Sequence, residues 1–137
     1  VTGEDLARAA ASFVGVTFRL HGRDPNYGVD CIGLLQVALE KAGSMATLPN
    51  GYPLRLRSPQ DWIPDAAAFG FAPAAPPYLP GDVILVSLGR SQAHLAIAGT
   101  TSTWIHAHAG LRRVVISPSA PQGEVIGHWR LKPSHCE

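Results

Sequence analysis

Apolar residues recur at helical spacing in two stretches near the start of the chain. In the first, Leu6, Ala10, Phe13 and Val14 share a face, Thr2 stands at the N-cap and Asp5 takes the capping-box position. This pattern predicts an amphipathic helix from Thr2 to near Gly15. In the second, Leu34, Leu35, Ala38, Leu39 and Ala42 form the stripe. Asp30 is its N-cap, Lys41 suits its last turn and Gly43 its C-terminal cap. The intervening "GVTFRLHGRDPNYG" is a loop rich in turn residues. Further on, Ser58 and Pro59 open a short predicted helix, broken at Pro64. "APAAPPYLPGD" holds too many prolines for a regular element and is too short and apolar for a domain linker. It is expected to pack over the surface of the same domain.

From Asp82 the texture changes to short β-prone runs: "DVILVSL", "HLAIAG", "TWIHAHAG", "RRVVIS" and "EVIGHWRL". Helices first and an antiparallel meander afterwards predict an α+β domain, with the helices packed on a sheet of five or six strands. No internal repeat is present, and residues 1–137 read as one domain.

Composition narrows the partners. A net charge of +1 gives no electrostatic reason to expect nucleic acid. No apolar run is long enough to span a membrane, so membrane insertion is not expected. The start, "VTGEDLARAA", lacks the basic and apolar regions of a signal peptide. The expectation is a chain made in the cytoplasm that stays there, leaves without a cleavable signal, or has its signal outside this sequence. Two cysteines cannot build a disulfide framework, and both Cys31 and Cys136 are expected to be free thiols.

Cys31 has two readings. It lies on the face of Leu34, Leu35 and Ala38, where a cysteine is ordinarily a small core residue. It also sits in the first turn of a helix, where unpaired N–H groups favour thiolate. His94 opens one predicted strand and His106 lies in the next. A hairpin loop of Ala98–Ser102 pairs Ile97 with Thr103 and sets His94 directly opposite His106, on one sheet face. A thiol, a base and a group that orients the base make a generalised triad. His108, two residues on, points to the same face and is the second candidate for the orienting role. A zinc site from Cys31, His94, His106 and His108 has suitable donors but lacks the paired short spacing of structural zinc sites.

Asp30-Cys31-Ile32-Gly33 opening a helix, Pro80-Gly81-Asp82 entering the sheet, and His94 and His106 on adjacent strands together resemble the NlpC-type cysteine peptidases, the NlpC and p-sixty superfamily. The resemblance covers nearly the whole chain. It implies a papain-like fold without a cofactor or metal, with Cys31 as nucleophile, His94 as general base and His106 as the orienting residue. It also implies peptidoglycan stem peptides as substrate, cut between D-glutamate and diaminopimelate. The "HGRDP" run and the absence of serine after Cys31 look more like the branch found in phage tails and gene transfer agents. That branch implies tail or baseplate partners and action in the periplasm or cell wall from a particle.

Two positions depart from the family pattern. Phe18 stands where many members carry a tyrosine near the nucleophile, and Ile32 replaces a serine that helps recognise the peptide's amino end. Asp30 is left as a partner for a substrate amine, as a helix cap, or as both. His21, Arg19 and Arg23 lie in the preceding loop. They either line the cleft or form an exposed basic loop. Trp62, Tyr78 and Trp104 wall a groove or fill the core. His128 has no partner evident in the sequence. The non-enzymatic alternative is a tail component that binds cell wall, favoured by Phe18 and opposed by the retained Cys31, His94 and His106.

Overall fold

The computed structural model describes residues 2–44, 70–89 and 92–132. Helix α1 (Gly3–Ala11) starts on the expected capping box: the Asp5 N–H donates to Thr2 Oγ1 at 3.1 Å and the Thr2 N–H to Asp5 Oδ2 at 3.0 Å. It ends before the expected Gly15. The Gly15 N–H goes instead to the Val114 carbonyl and the Val114 N–H to Val16, so the chain leaves the helix to pair with a distant strand.

Helix α2 (Cys31–Ala42) is bounded as the sequence predicts. Asp30 Oδ1 accepts the Gly33 N–H at 2.8 Å, and Gly43 closes the helix in the left-handed region at φ 107°. Every residue from Cys31 to Leu39 is buried, so this helix runs through the core and does not lie on it. Gly33 is where the preceding loop crosses the helix. A Cβ at that position would collide with the Gly22 carbonyl.

Within that loop, β1 (Arg23–Asp24) and β2 (Gly28–Val29) form a small antiparallel pair. The main sheet contains β3 (Phe71–Pro73), β4 (Val83–Gly89), β5 (Gln92–Ala98), β6 (Trp104–His108), β7 (Arg113–Ser117) and β8 (Glu124–Leu131). Its order is β3-β8-β4-β5-β6-β7, with all neighbours antiparallel. This is the expected α+β arrangement with six strands.

Two details correct the sequence reading. Strand β3 extends into the stretch judged too rich in proline, and it is tolerated there because Pro73 lies on an edge strand. The sheet is also not a simple meander, because β8 returns to lie beside β4. Strand β4 is buried on both faces, and a strand of that kind needs a neighbour on each side. Val83 and Leu85 join Leu6, Leu34, Leu39, Leu95, Ile97 and Ile105 in the core beneath the helices. Ile84 and Val86 join Ala96, Ala98 and Trp104 on the opposite face. The short helix expected around Ser58 and Pro64, and Trp62 within it, lie outside the described residues.

The Pro80-Gly81-Asp82 turn anchors the sheet. Asp82 is fully buried, and its carboxylate accepts from His128 Nε2 at 2.6 Å, from Arg130 Nε and Nη2 at 2.9 Å each, and from the Leu79 N–H at 3.0 Å. Burial alone would raise the Asp82 pKa. The bonds from Arg130, Leu79 and His128 outweigh it and hold the carboxyl below its usual range. Asp82→Ala is expected to lower folding stability by about 3 kcal/mol, the lower end for a broken buried ion pair because Arg130 stays within reach of water. A urea titration would read it, and a loss under about 1 kcal/mol would exclude the clamp as a stability element. A depressed folded-state pKa adds stability above the unfolded value, so this contribution should disappear as pH falls below about 4.

Candidate active site

Cys31 is the first residue of α2, a free thiol only 7% exposed. The backbone N–H of Leu95 is near enough to favour the thiolate, so the helix start lies close to β5 one residue from His94. Burial pushes the Cys31 thiol up to about 12, and the Asp30 carboxylate adds to the rise. The N–H groups of Leu95, Ile32 and Cys31 act the other way without prevailing. The place of Cys31 in the first turn of the helix favours a lowered thiol. The structure reverses this, because the sulfur is buried and burial outweighs the N–H groups. No hydrogen bond joins Cys31 to the His94 ring, which bonds to His106 instead.

The two histidines meet by a route the sequence misjudged in register. Gly99 N–H bonds to the Thr103 carbonyl at 2.7 Å, Ala98 pairs with Trp104 and Ile97 with Ile105. The hairpin loop is therefore three residues, Thr100–Ser102, with Ser102 in the left-handed region at φ 57°. The register differs from expectation by two residues. A two-residue shift keeps every side chain on its face, so His94 and His106 become diagonal neighbours instead of direct ones. Cross-strand pairing stops at Ile97 and Ile105, and both histidines lie in the unpaired part.

His94 Nε2 lies 2.9 Å from His106 Nδ1, with ring planes at 84°. One proton must sit between them. If it rides on His94 Nε2, His94 Nδ1 is a free base. Burial first pushes His94 down to about 4, with His106 and then His108 adding to the effect. Burial and His108 push His106 down to about 4 as well. Both rings are neutral at neutral pH. His106, not His108, reaches His94, and the His108 Nδ1 instead accepts the Leu111 N–H at 3.0 Å.

The residues expected to face substrate divide into two groups. Asp30 is buried, and both its oxygens serve the backbone: Oδ1 takes the Gly33 N–H and Oδ2 the His21 N–H at 2.7 Å. Burial raises its pKa against these bonds and the Arg23 and His21 charges. His21 is exposed, in the left-handed region at φ 61°. Arg23 is half-buried, which lowers its pKa, while Asp30 and Glu40 act to raise it. These three residues surround the start of α2.

Ile32 does not belong with them. It is 1% exposed and packs in the core, because the second position of a buried helix turns inward. Phe18 is half-buried against the same core, its N–H bonded to the Arg112 carbonyl at 2.9 Å. Arg19 is exposed and Trp104 is buried in an edge-to-face contact with Tyr78 at 5.1 Å. Cys136 lies outside the described residues. Among those residues no group of three or more His, Cys, Asp and Glu side chains is placed to hold a metal ion. No described helix is long and apolar enough to cross a membrane.

A cleft of about 430 Å3 opens beside the histidines, lined by His94, His106, His108, Gly110, Pro121 and Gln122. Sequence reasoning missed Gln122, Pro121 and the Leu95 N–H. The first two arrive on the β7–β8 loop only because β8 recrosses the sheet. The third is a backbone group, which no side-chain pattern signals.

No family model and no curated protein matches the sequence. Solved structures do match in fold. An NlpC/P60 family protein from Bacillus cereus is 23% identical with a TM-score of 0.69, and the match covers 97% of this chain and 41% of that one. NlpC1 from Trichomonas vaginalis is 20% identical with a TM-score of 0.67, covering 93% and 44%. The peptidoglycan hydrolase RipB from Mycobacterium tuberculosis is 22% identical with a TM-score of 0.58, covering 96% and 65%. The chain thus has the papain-like fold of NlpC/P60 proteins, and it spans less than half the length of the first two.

Proposed function

We propose that this domain is a cysteine peptidase acting on peptidoglycan stem peptides. The observation that carries the reading is the 2.9 Å contact between His94 Nε2 and His106 Nδ1, one residue from a backbone N–H that acts on the Cys31 thiol. In this reading the sulfur attacks the carbonyl carbon of an amide while His94 Nδ1 takes the thiol proton. The same proton passes to the leaving nitrogen as the C–N bond breaks, which leaves a thioester. Water then attacks the thioester, releases the acid and restores the thiol. The Cys31 backbone N–H at the helix start serves the oxyanion. His106 accepts the Nε2 proton of His94 and so keeps Nδ1 as the base. Turnover requires the sulfur to come within hydrogen-bond reach of His94 Nδ1.

The shared fold with proteins described as peptidoglycan hydrolases, RipB and SagA, supports the substrate class. The bond proposed is D-glutamyl–diaminopimelate. The "HGRDP" loop and Ile32 support a domain carried on a phage-like tail and acting in the periplasm or wall. A second reading, a wall-binding module without turnover, is favoured by the buried thiol that makes no bond to His94. Digestion of defined stem peptides, with products identified by mass, separates the two. Cleavage at one amide is expected. Binding of intact peptide without cleavage would establish the second reading.

A further inference from the structure

We propose, building on the hydrolase reading, that His108 is a specificity-determining residue. It donates a hydrogen bond from Nε2 to a carbonyl or carboxylate oxygen on the leaving-group side of the substrate.

The ring is held by its surroundings. Its Nδ1 accepts the Leu111 N–H at 3.0 Å, so the proton of the neutral ring resides on Nε2. His108 pairs with Arg113 across β6 and β7, which fixes its backbone. Gly110 leaves room for the imidazole, since a Cβ there would sit 3.0 Å from Cε1 and 3.3 Å from Nδ1. The ring centroid is 5.7 Å from that of His106, and both rings line the same cleft as His94. Among the described residues nothing accepts the Nε2 proton. A donor of fixed tautomer, without an acceptor and on a ring that lines an open cleft, is suited to a ligand oxygen.

The side of the substrate follows from the order of groups. In the proposed mechanism the Cys31 thiol meets His94 at Nδ1, while His106 and then His108 extend from the Nε2 end of the ring. A base that returns its proton to the leaving nitrogen has that nitrogen on its own side. The portion beyond it then lies along His106 and His108. His108 does not orient His94, because His106 alone occupies Nε2 of that ring.

The test uses two substrates with one acyl part, γ-D-glutamyl. In one it is joined to diaminopimelate, which carries carboxylates. In the other it is joined to aminomethylcoumarin, whose leaving group carries none. His108→Phe keeps a ring and removes the donor. Its KM should rise about tenfold more on the peptide than on the coumarin substrate. His108→Gln, which keeps an N–H, should recover part of the difference. Equal KM changes on both substrates, or a fall in kcat on both, would overturn the proposal. Equilibrium binding of the same peptide to Cys31→Ala protein gives a reading independent of turnover, and His108→Phe should weaken it about tenfold. If the wild type cuts neither substrate while this binding loss persists, the hydrolase reading falls and His108 stands. Unchanged binding, or no binding at all, overturns the role given to His108.

Discussion

Cys31→Ala is expected to bring stem-peptide cleavage down to the uncatalysed rate, a loss of about five orders of magnitude in kcat. The magnitude follows from chemistry that has no other route. Alanine offers no atom to form the thioester, and the neutral His94 is too weak a base to activate water to the same degree. His94→Ala should cost nearly as much, because the thiol is held protonated by burial and has no other acceptor at Nδ1. The double variant should be no worse than either single one, since the two residues act as a unit. His106→Leu removes only the acceptor for the Nε2 proton of His94, so its loss should be smaller, on the order of a hundredfold. The fold should survive, because truncating a buried cysteine to alanine removes one atom from a helix whose remaining core contacts are intact. Product formation by mass spectrometry, with circular dichroism as the control, reads all four variants. Cleavage retained in Cys31→Ala would end the nucleophile assignment.

The parts of the fold legible in the sequence are those set by local chemistry. Thr2 with Asp5, and Asp30 with Gly43, mark helix boundaries through bonds made within three or four residues, and three of the four marked ends are correct. The exception is the end of α1. Phe13 and Val14 continue the helical period, yet the backbone beyond Ala11 is claimed by β7, more than ninety residues away. Strands β4 to β8 are legible from their β-branched runs, whereas the place of β8 beside β4 is not, because strand order is a property of the whole core.

The site divides in the same way. His94 and His106 share a face because side-chain direction alternates along a strand, and that survives a register error of two. Burial does not follow from such a pattern. Cys31 and Ile32 sit at positions a helix N-terminus often exposes, but here the Gly22–Gly33 crossing presses the loop onto the helix and takes both away from water. His128 offers the converse lesson. It had no partner within reach along the chain, and the return of β8 delivers it to Asp82.

Alkylation of Cys31 by iodoacetamide at neutral pH should be about a thousandfold slower than that of an ordinary thiol, whose pKa is about 8.5. The helix start and the nearby imidazole both favour thiolate, and each loses to burial: the thiol is pushed up to about 12 and His94 down to about 4. Across the interval between these values the pair is thiol and neutral imidazole, not an ion pair. The labelling rate should therefore climb about tenfold per pH unit through the alkaline range, without a plateau near pH 6. His94→Ala should change it little, because there is no imidazolium whose charge could be lost. The same values give the catalytic step its form. His94 gains no second proton until pH falls to about 4, so its Nδ1 stays open as a base well into acid. Deprotonation of Cys31 then accompanies attack on the substrate and does not precede it. Mass mapping of the labelled peptide over a pH series checks this. Fast labelling at pH 5 to 6 that His94→Ala abolishes would instead establish a resident ion pair, and with it a cleft through which water reaches the sulfur.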